Sequence, residues 1–298
     1  MLRAGRGRRR GGRRGAGLTP LGPGFALAAA LSWGISDFAG GLASRRSGAI
    51  VVGLLTQSLG LALALGLALA SGTPFPSPAG AGWALLAGTA GIVGLLAFYR
   101  GLATGAMSLV APVAAVVGAG LPVAAGFVFG ERLDPGQMAG IVTALAAVAM
   151  VSRPSNGASA GRRGTWLALF AGLGFAVFFV GMDRAYVAGA GLWWPLPIAR
   201  TASVVITSLA VLATGRAGGV LRAVSPVVVL SGVGDIAGNV GFMLARAQGP
   251  LGPAAVLGSL YPAVTVMLAW TFLDERLSRA HLAGVLLAFA GIVLIAAA

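Results

Sequence analysis

Asp37, Arg200 and Asp235 each interrupt a long apolar run, and whatever chemistry this sequence offers begins with them. A charged side chain in hydrocarbon costs about 2.5 to 3.5 kcal/mol on insertion scales, so each needs a partner, water or a function. Trp33, Ser36 and Asp37 share one helical face, where they could line a cavity; alternatively Asp37 reaches the headgroups or pairs with Arg45 or Arg46. Asp235, Asn239, Phe242 and Arg246 follow one another at 4, 7 and 11 residues, a continuous stripe at the helical period. Gly232, Gly234, Gly238 and Gly241 lie between them and let a neighbouring backbone come close. The stripe reads either as cavity lining or as an interhelical lock. Arg200 reads either as the partner of Asp235 or Asp183, or as a fork of donors that recognises a carboxylate. Tyr99 and Tyr261 are two of only three tyrosines and suit a cavity or an aromatic belt, while Gln57 is a weaker polar candidate of the same kind.

Other chemistries have little to work with. The chain has no cysteine, so it has no thiolate nucleophile or thiolate metal site, and a single histidine, His281, argues against H-E-x-x-H zinc hydrolases and Ser-His-Asp triads. No metal or other cofactor is expected. An enzyme would be left with an Asp pair or a Ser-Arg arrangement, and the expectation is that the protein is not one. There is also no G-x-x-x-x-G-K-[ST] loop, so ATP is not the energy source within this chain.

The elements that must position these residues are transmembrane helices. Of 298 residues 57% are hydrophobic and only 9% charged, with a mean hydropathy of +0.92, which is a membrane composition rather than a soluble one. Runs near the roughly 20 residues that a bilayer core requires recur ten times, at 24–43, 49–71, 81–102, 106–129, 136–152, 165–186, 193–214, 224–245, 250–273 and 280–298. A polar linker, residues 153–164, divides them into a first unit of five (24–152) and a second (165–298). Seven arginines fall in the first fourteen residues, so the net charge of +14 belongs largely to a basic tail, residues 1–23, expected to be cytosolic and disordered. That distribution suits anionic lipid, and no nucleic-acid partner is expected.

The two units repeat. At an offset of 144 residues Glu131, Arg132 and Leu133 align with Glu275, Arg276 and Leu277, and Gly105, Ala111, Ala139 and Gly140 align with Gly249, Ala255, Ala283 and Gly284. With five helices per unit the second copy enters the membrane from the opposite side, an inverted repeat that puts a substrate site near the midplane. The segments "YRGLATGAMSLVAPVAAVVGAGLPV…GERL" from Tyr99 and "LARAQGPLGPAAVLGSLYPAV…DERL" from Leu244 resemble the EamA-type repeat of the drug/metabolite transporter superfamily. The resemblance spans residues 24–298. It implies an all-α integral membrane protein of ten helices, an exporter or permease for small metabolites with both ends cytosolic, and the inverted repeat suits a secondary carrier that alternates access by rocking one unit against the other.

One departure from the repeat is that Pro262 aligns with Gly118, the first unit having its proline at Pro122. Arginine counts do not orient the chain, with ten on each side if the N-terminus is inside. The expected site is Trp33, Ser36, Asp37, Tyr99, Arg200, Asp235, Asn239 and Tyr261, suited to amino acids, other zwitterions or amphiphilic cations. Glu131 and Glu275 sit at helix ends beside Arg132 and Arg276 and read as local pairing and capping. The expected setting is the plasma membrane, the inner membrane of a bacterium, as a multi-pass protein in contact with lipid and a small-molecule substrate. Proton coupling through Asp37 or Asp235 and homodimer formation stay open. The other reading is a membrane scaffold or partner subunit that transports nothing itself and has no central cavity.

Overall fold

The computed structural model describes residues 21–103, 107–151, 161–273 and 279–297, and these form helices joined by short connections, with no strand among them. The first unit supplies α1 (Leu21–Ser47), α2 (Ala49–Ala70), α3 (Pro78–Ala103), α4 (Met107–Val128) and α5 (Pro135–Val151). The second supplies α6 (Gly161–Ala185), α7 (Pro195–Ala213), α8 (Pro226–Ala247), α9 (Leu251–Gly258), α10 (Tyr261–Leu273) and α11 (Arg279–Ala297). The basic tail, most of the linker and the second E-R-L triplet with Glu275 lie outside the described residues.

Local chemistry fixes the helix starts. Prolines open α3, α5, α7 and α8, where the missing N–H would have had no intrahelical partner. Ser225 caps α8 by accepting a hydrogen bond from the Val228 amide at 3.4 Å. Between α1 and α2 the chain turns on one residue, Gly48, at φ +80°, a conformation that a side chain would strain.

The apolar run at 250–273 is not one helix. It divides into α9 and α10 around Ser259 and Leu260, because Pro262 has no N–H to give Gly258 and its ring would crowd that carbonyl. The ten expected runs therefore correspond to eleven α-helices among the described residues. Among the described residues six segments are long and apolar enough to cross a membrane: α1, α2, most of α3, Gly164–Ala190, α7 and α8. Outward-facing Leu, Val and Phe cover their outer faces, a surface suited to lipid.

Packing between the units follows an exchange rule. The first helix of each unit lies against the third helix of the other, α1 on α8 and α6 on α3. Likewise α2 packs on α7 and α5 on α11, and α4 on α6 is answered by α1 on α9 and α10. Small residues make the approach possible: a Cβ on Gly174 would come within 2.7 Å of the Ala90 carbonyl and the Gly94 Cα, and one on Gly140 within 3.0 Å of the Gly291 carbonyl.

The connections meet across the units as well. Trp194 Nε1 donates to the Thr73 carbonyl at 2.9 Å and Ser77 Oγ to the Ala188 carbonyl at 3.1 Å, which joins the α2–α3 and α6–α7 connections. Arg216, from the α7–α8 connection, lies against Gly48. Glu131 accepts hydrogen bonds from the Leu251 and Gly252 amides at 2.7 and 3.4 Å, so its carboxylate caps the N-terminus of α9 in the other unit.

Candidate functional site

Where the two units face each other, seven helices and the α9–α10 break enclose a cavity with about 80 Å³ wide enough for water. One wall is polar. Arg200 on α7 places Nη1 2.9 Å from Asp235 Oδ2 on α8, and Gln57 on α2 ties the pair together by donating to Asp235 Oδ2 at 3.0 Å and accepting from Arg200 Nη1. Gly60 makes room for the arginine, since a Cβ there would lie 3.3 Å from Arg200 Nε. Asn239, one turn beyond Asp235, and Ser203, three residues beyond Arg200, continue the same wall.

Asp37 lines the cavity too, yet no side chain among the described residues donates to it or pairs with it. Conversely, three buried donors at the cavity have no acceptor: Arg200 Nη2, Ser259 Oγ and Tyr261 Oη. Each such group costs about 1 to 3 kcal/mol if left dry. The site is thus a free carboxylate and a set of free donors held in place by their neighbours.

The opposite wall is apolar. Gly91, Leu95, Ala115 and Gly118, from α3 and α4, face Phe175 and Phe178 of α6. Trp33 closes one end, packed on Phe179 at 5.5 Å between ring centres and on Phe242 at 6.3 Å, with Gly238 and Gly258 leaving space for its indole. At the offset of 144 residues Gly91 and Leu95 stand where the second unit has Asp235 and Asn239, so these equivalent positions on α3 and α8 are opposite in character.

Six of the eight expected site residues line this cavity: Trp33, Asp37, Arg200, Asp235, Asn239 and Tyr261. Ser36 and Tyr99 do not. Ser36 Oγ donates to the Ser231 carbonyl at 2.7 Å, and Tyr99 Oη lies 3.4 Å from Ser231 Oγ, so both fasten α1 and α3 to α8 behind the polar wall. Phe242 and Arg246 leave the cavity as their stripe continues. Arg246 Nε pairs with Asp183, which also holds Arg184 Nη2 at 2.6 Å, and Arg246 Nη1 donates to the Gly249 carbonyl at 2.7 Å. That cluster takes up Asp183, and Asp235 is the partner of Arg200. Among the described residues no ion pair joins Asp37 to an arginine.

Sequence reasoning undervalued Gln57 and did not find Ser203, Ser259 or the phenylalanine wall. An amide in an apolar helix was a visible signal. A serine one turn from Arg200 was a weaker one, and nothing in a run of phenylalanines says which way each ring points. Among the described residues no group of three or more His, Asp or Glu is placed to hold a metal.

No curated protein matches this sequence at a significant level. Several solved structures match, among them one described only as the crystal structure of a protein, which shares the fold at 21% identity with a TM-score of 0.69 and covers 92% of this chain and 95% of its own. The model of the EamA-like transporter family matches twice, at residues 20–153 and 162–297. The chain is thus a multi-pass membrane transporter for small molecules, and it belongs to the EamA-like transporter family.

Proposed function

We propose that the protein is a secondary carrier in the plasma membrane, that its substrate is a small amphipathic zwitterion such as an apolar amino acid, and that it works by alternating access. The observation that carries this reading is the division of labour around one cavity: a free carboxylate at Asp37, free donors on Arg200, Ser259 and Tyr261, and an apolar wall facing them. An ammonium group satisfies Asp37, a carboxylate takes the open prong of the Arg200 fork, and the side chain rests on Phe175, Phe178 and Leu95.

Ten crossings follow if α9 and α10 count as one. The α4, α5, α9–α10 and α11 segments join the six long spans, and each five-crossing unit inverts the next. Because the water-accessible space is small, the walls must part to admit a metabolite, and rocking one unit against the other does this at the contacts between helices of opposite units. Asp235 is held by Arg200 and Gln57, which leaves Asp37 as the carboxylate free to exchange a proton for a cationic group. Proton-coupled exchange and uniport both fit that arrangement. A scaffold would be expected to satisfy its intramembrane polar groups internally, and the open donors favour the carrier.

The test is an untargeted comparison of metabolites in cells making the wild-type protein, Asp37→Asn or Arg200→Gln at equal membrane levels. Zwitterions with apolar side chains should shift with the wild type and return to the vector control with either variant. A wild-type profile identical to the control, or variants that match the wild type, would overturn the proposal.

A further inference from the structure

A second concave site lies far from the cavity, at the membrane face opposite the start of α1, where α1 ends and α2 begins. It is lined by Arg46, Ser47 and Val51 of the first unit and by Arg216, Gly219 and Arg222 of the second. Arg46 belongs to the last turn of α1, while Arg216 and Arg222 belong to two successive single turns of 3-10 helix, Ala217–Gly219 and Leu221–Ala223, with their caps. None of these three arginines has an ion-pair partner among the described residues. The guanidinium of Arg216 lies over the turn: a Cβ at residue 48 would lie 2.7 Å from its Nη1, while glycine there is favoured by the φ of +80°.

The end of α1 does not account for so much charge. A helix C-terminus presents roughly half a negative charge, against three guanidinium groups here. The surroundings indicate what supplies the remainder. Leu212 is 66% exposed, Leu221 85% and Val224 54%, and all three flank the arginines on the α7–α8 connection. In a membrane protein such side chains belong among acyl chains, which sets the guanidinium groups at the level of the lipid phosphates.

We infer that Arg46, Arg216 and Arg222 form a binding site for the phosphate group of an anionic phospholipid, with its acyl chains lying over Leu212, Leu221 and Val224. The planar fork of arginine suits phosphate oxygens, and the contributing residues come from both units, so the bound lipid clamps α1–α2 to the α7–α8 connection.

Native mass spectrometry of the full chain in detergent, titrated with phosphatidylglycerol or with phosphatidylcholine, tests this inference. The basic tail is present in every variant and contributes a common background. Retention of phosphatidylglycerol should weaken about fivefold for each arginine removed and on the order of a hundredfold in the Arg46→Ala, Arg216→Ala, Arg222→Ala triple variant, with phosphatidylcholine unaffected. A triple lysine variant guards against misfolding: it keeps the charge, loses the fork and should bind between the two. Phosphatidylglycerol retained equally by wild type and both triple variants would overturn the site. Inorganic phosphate competing with the lipid at equal concentration would overturn the lipid assignment in favour of a free anion.

Discussion

Arg200 holds Asp235 with Nη1 and leaves Nη2 free, so one side chain is both a structural partner and an open hand. Breaking a buried pair by removing one member typically costs about 3 to 5 kcal/mol, because the other charge is left behind. Asp235→Asn and Arg200→Gln should therefore each lower stability more than the double variant does, and a thermal unfolding cycle in detergent reads the coupling. Strictly additive losses would show that the two residues act independently. On the proposed zwitterion reading, transport should stay lost in the double variant, because no guanidinium is left for a substrate carboxylate. Cost alone pointed to Arg200, Asp235 and Asp37, because charge in hydrocarbon is conspicuous in a sequence. The partner of each was not legible. Asp183 was as eligible as Asp235 for Arg200, and the choice depends on which ends of α6, α7 and α8 face each other.

At the scale of elements, α9 is the unusual piece: all eight of its residues are buried, its N-terminus rests on Glu131 of the other unit, and it ends at the cavity beside Ser259. Replacing Glu131 with Gln keeps the shape and removes the charge facing the two amides, so Glu131→Gln should lower stability by about 1 kcal/mol. Arg132→Gln, at an exposed position, should stay within about 0.5 kcal/mol. If both variants unfold at the wild-type temperature, the cap contributes nothing. The helix starts were readable from proline and serine, and capping by Glu131 was readable in kind but not in target, since its partner lies 120 residues away. Proline alone did not tell a break from a continuous helix. Pro262 ends α9, whereas Pro122 sits within α4, and the two look alike in sequence.

For the whole molecule, inversion makes a direct demand on the connections. Thr73 and Ala217 are both exposed and stand 144 residues apart, at equivalent places in the two units. In this cysteine-free chain, Thr73→Cys and Ala217→Cys should each react with an impermeant thiol reagent from opposite sides of a sealed vesicle. Labelling of both from one side would end the inverted-repeat reading. The repeat was visible in three residues, Glu-Arg-Leu, while the exchange of partners between units was not, because packing on a duplicated neighbour leaves no local mark. Duplication also explains what the cavity has become. Asp235 and Asn239 on α8 stand at positions equivalent to Gly91 and Leu95 on α3, so the duplicated positions of these two helices have diverged, one pair to polarity and the other to shape. On the proposed reading, selection can retune which side chain the pocket prefers by altering Gly91, Leu95, Phe175 or Phe178, leaving the polar grip of Asp37 and Arg200 intact. A transporter built this way can change customers without relearning how to hold them.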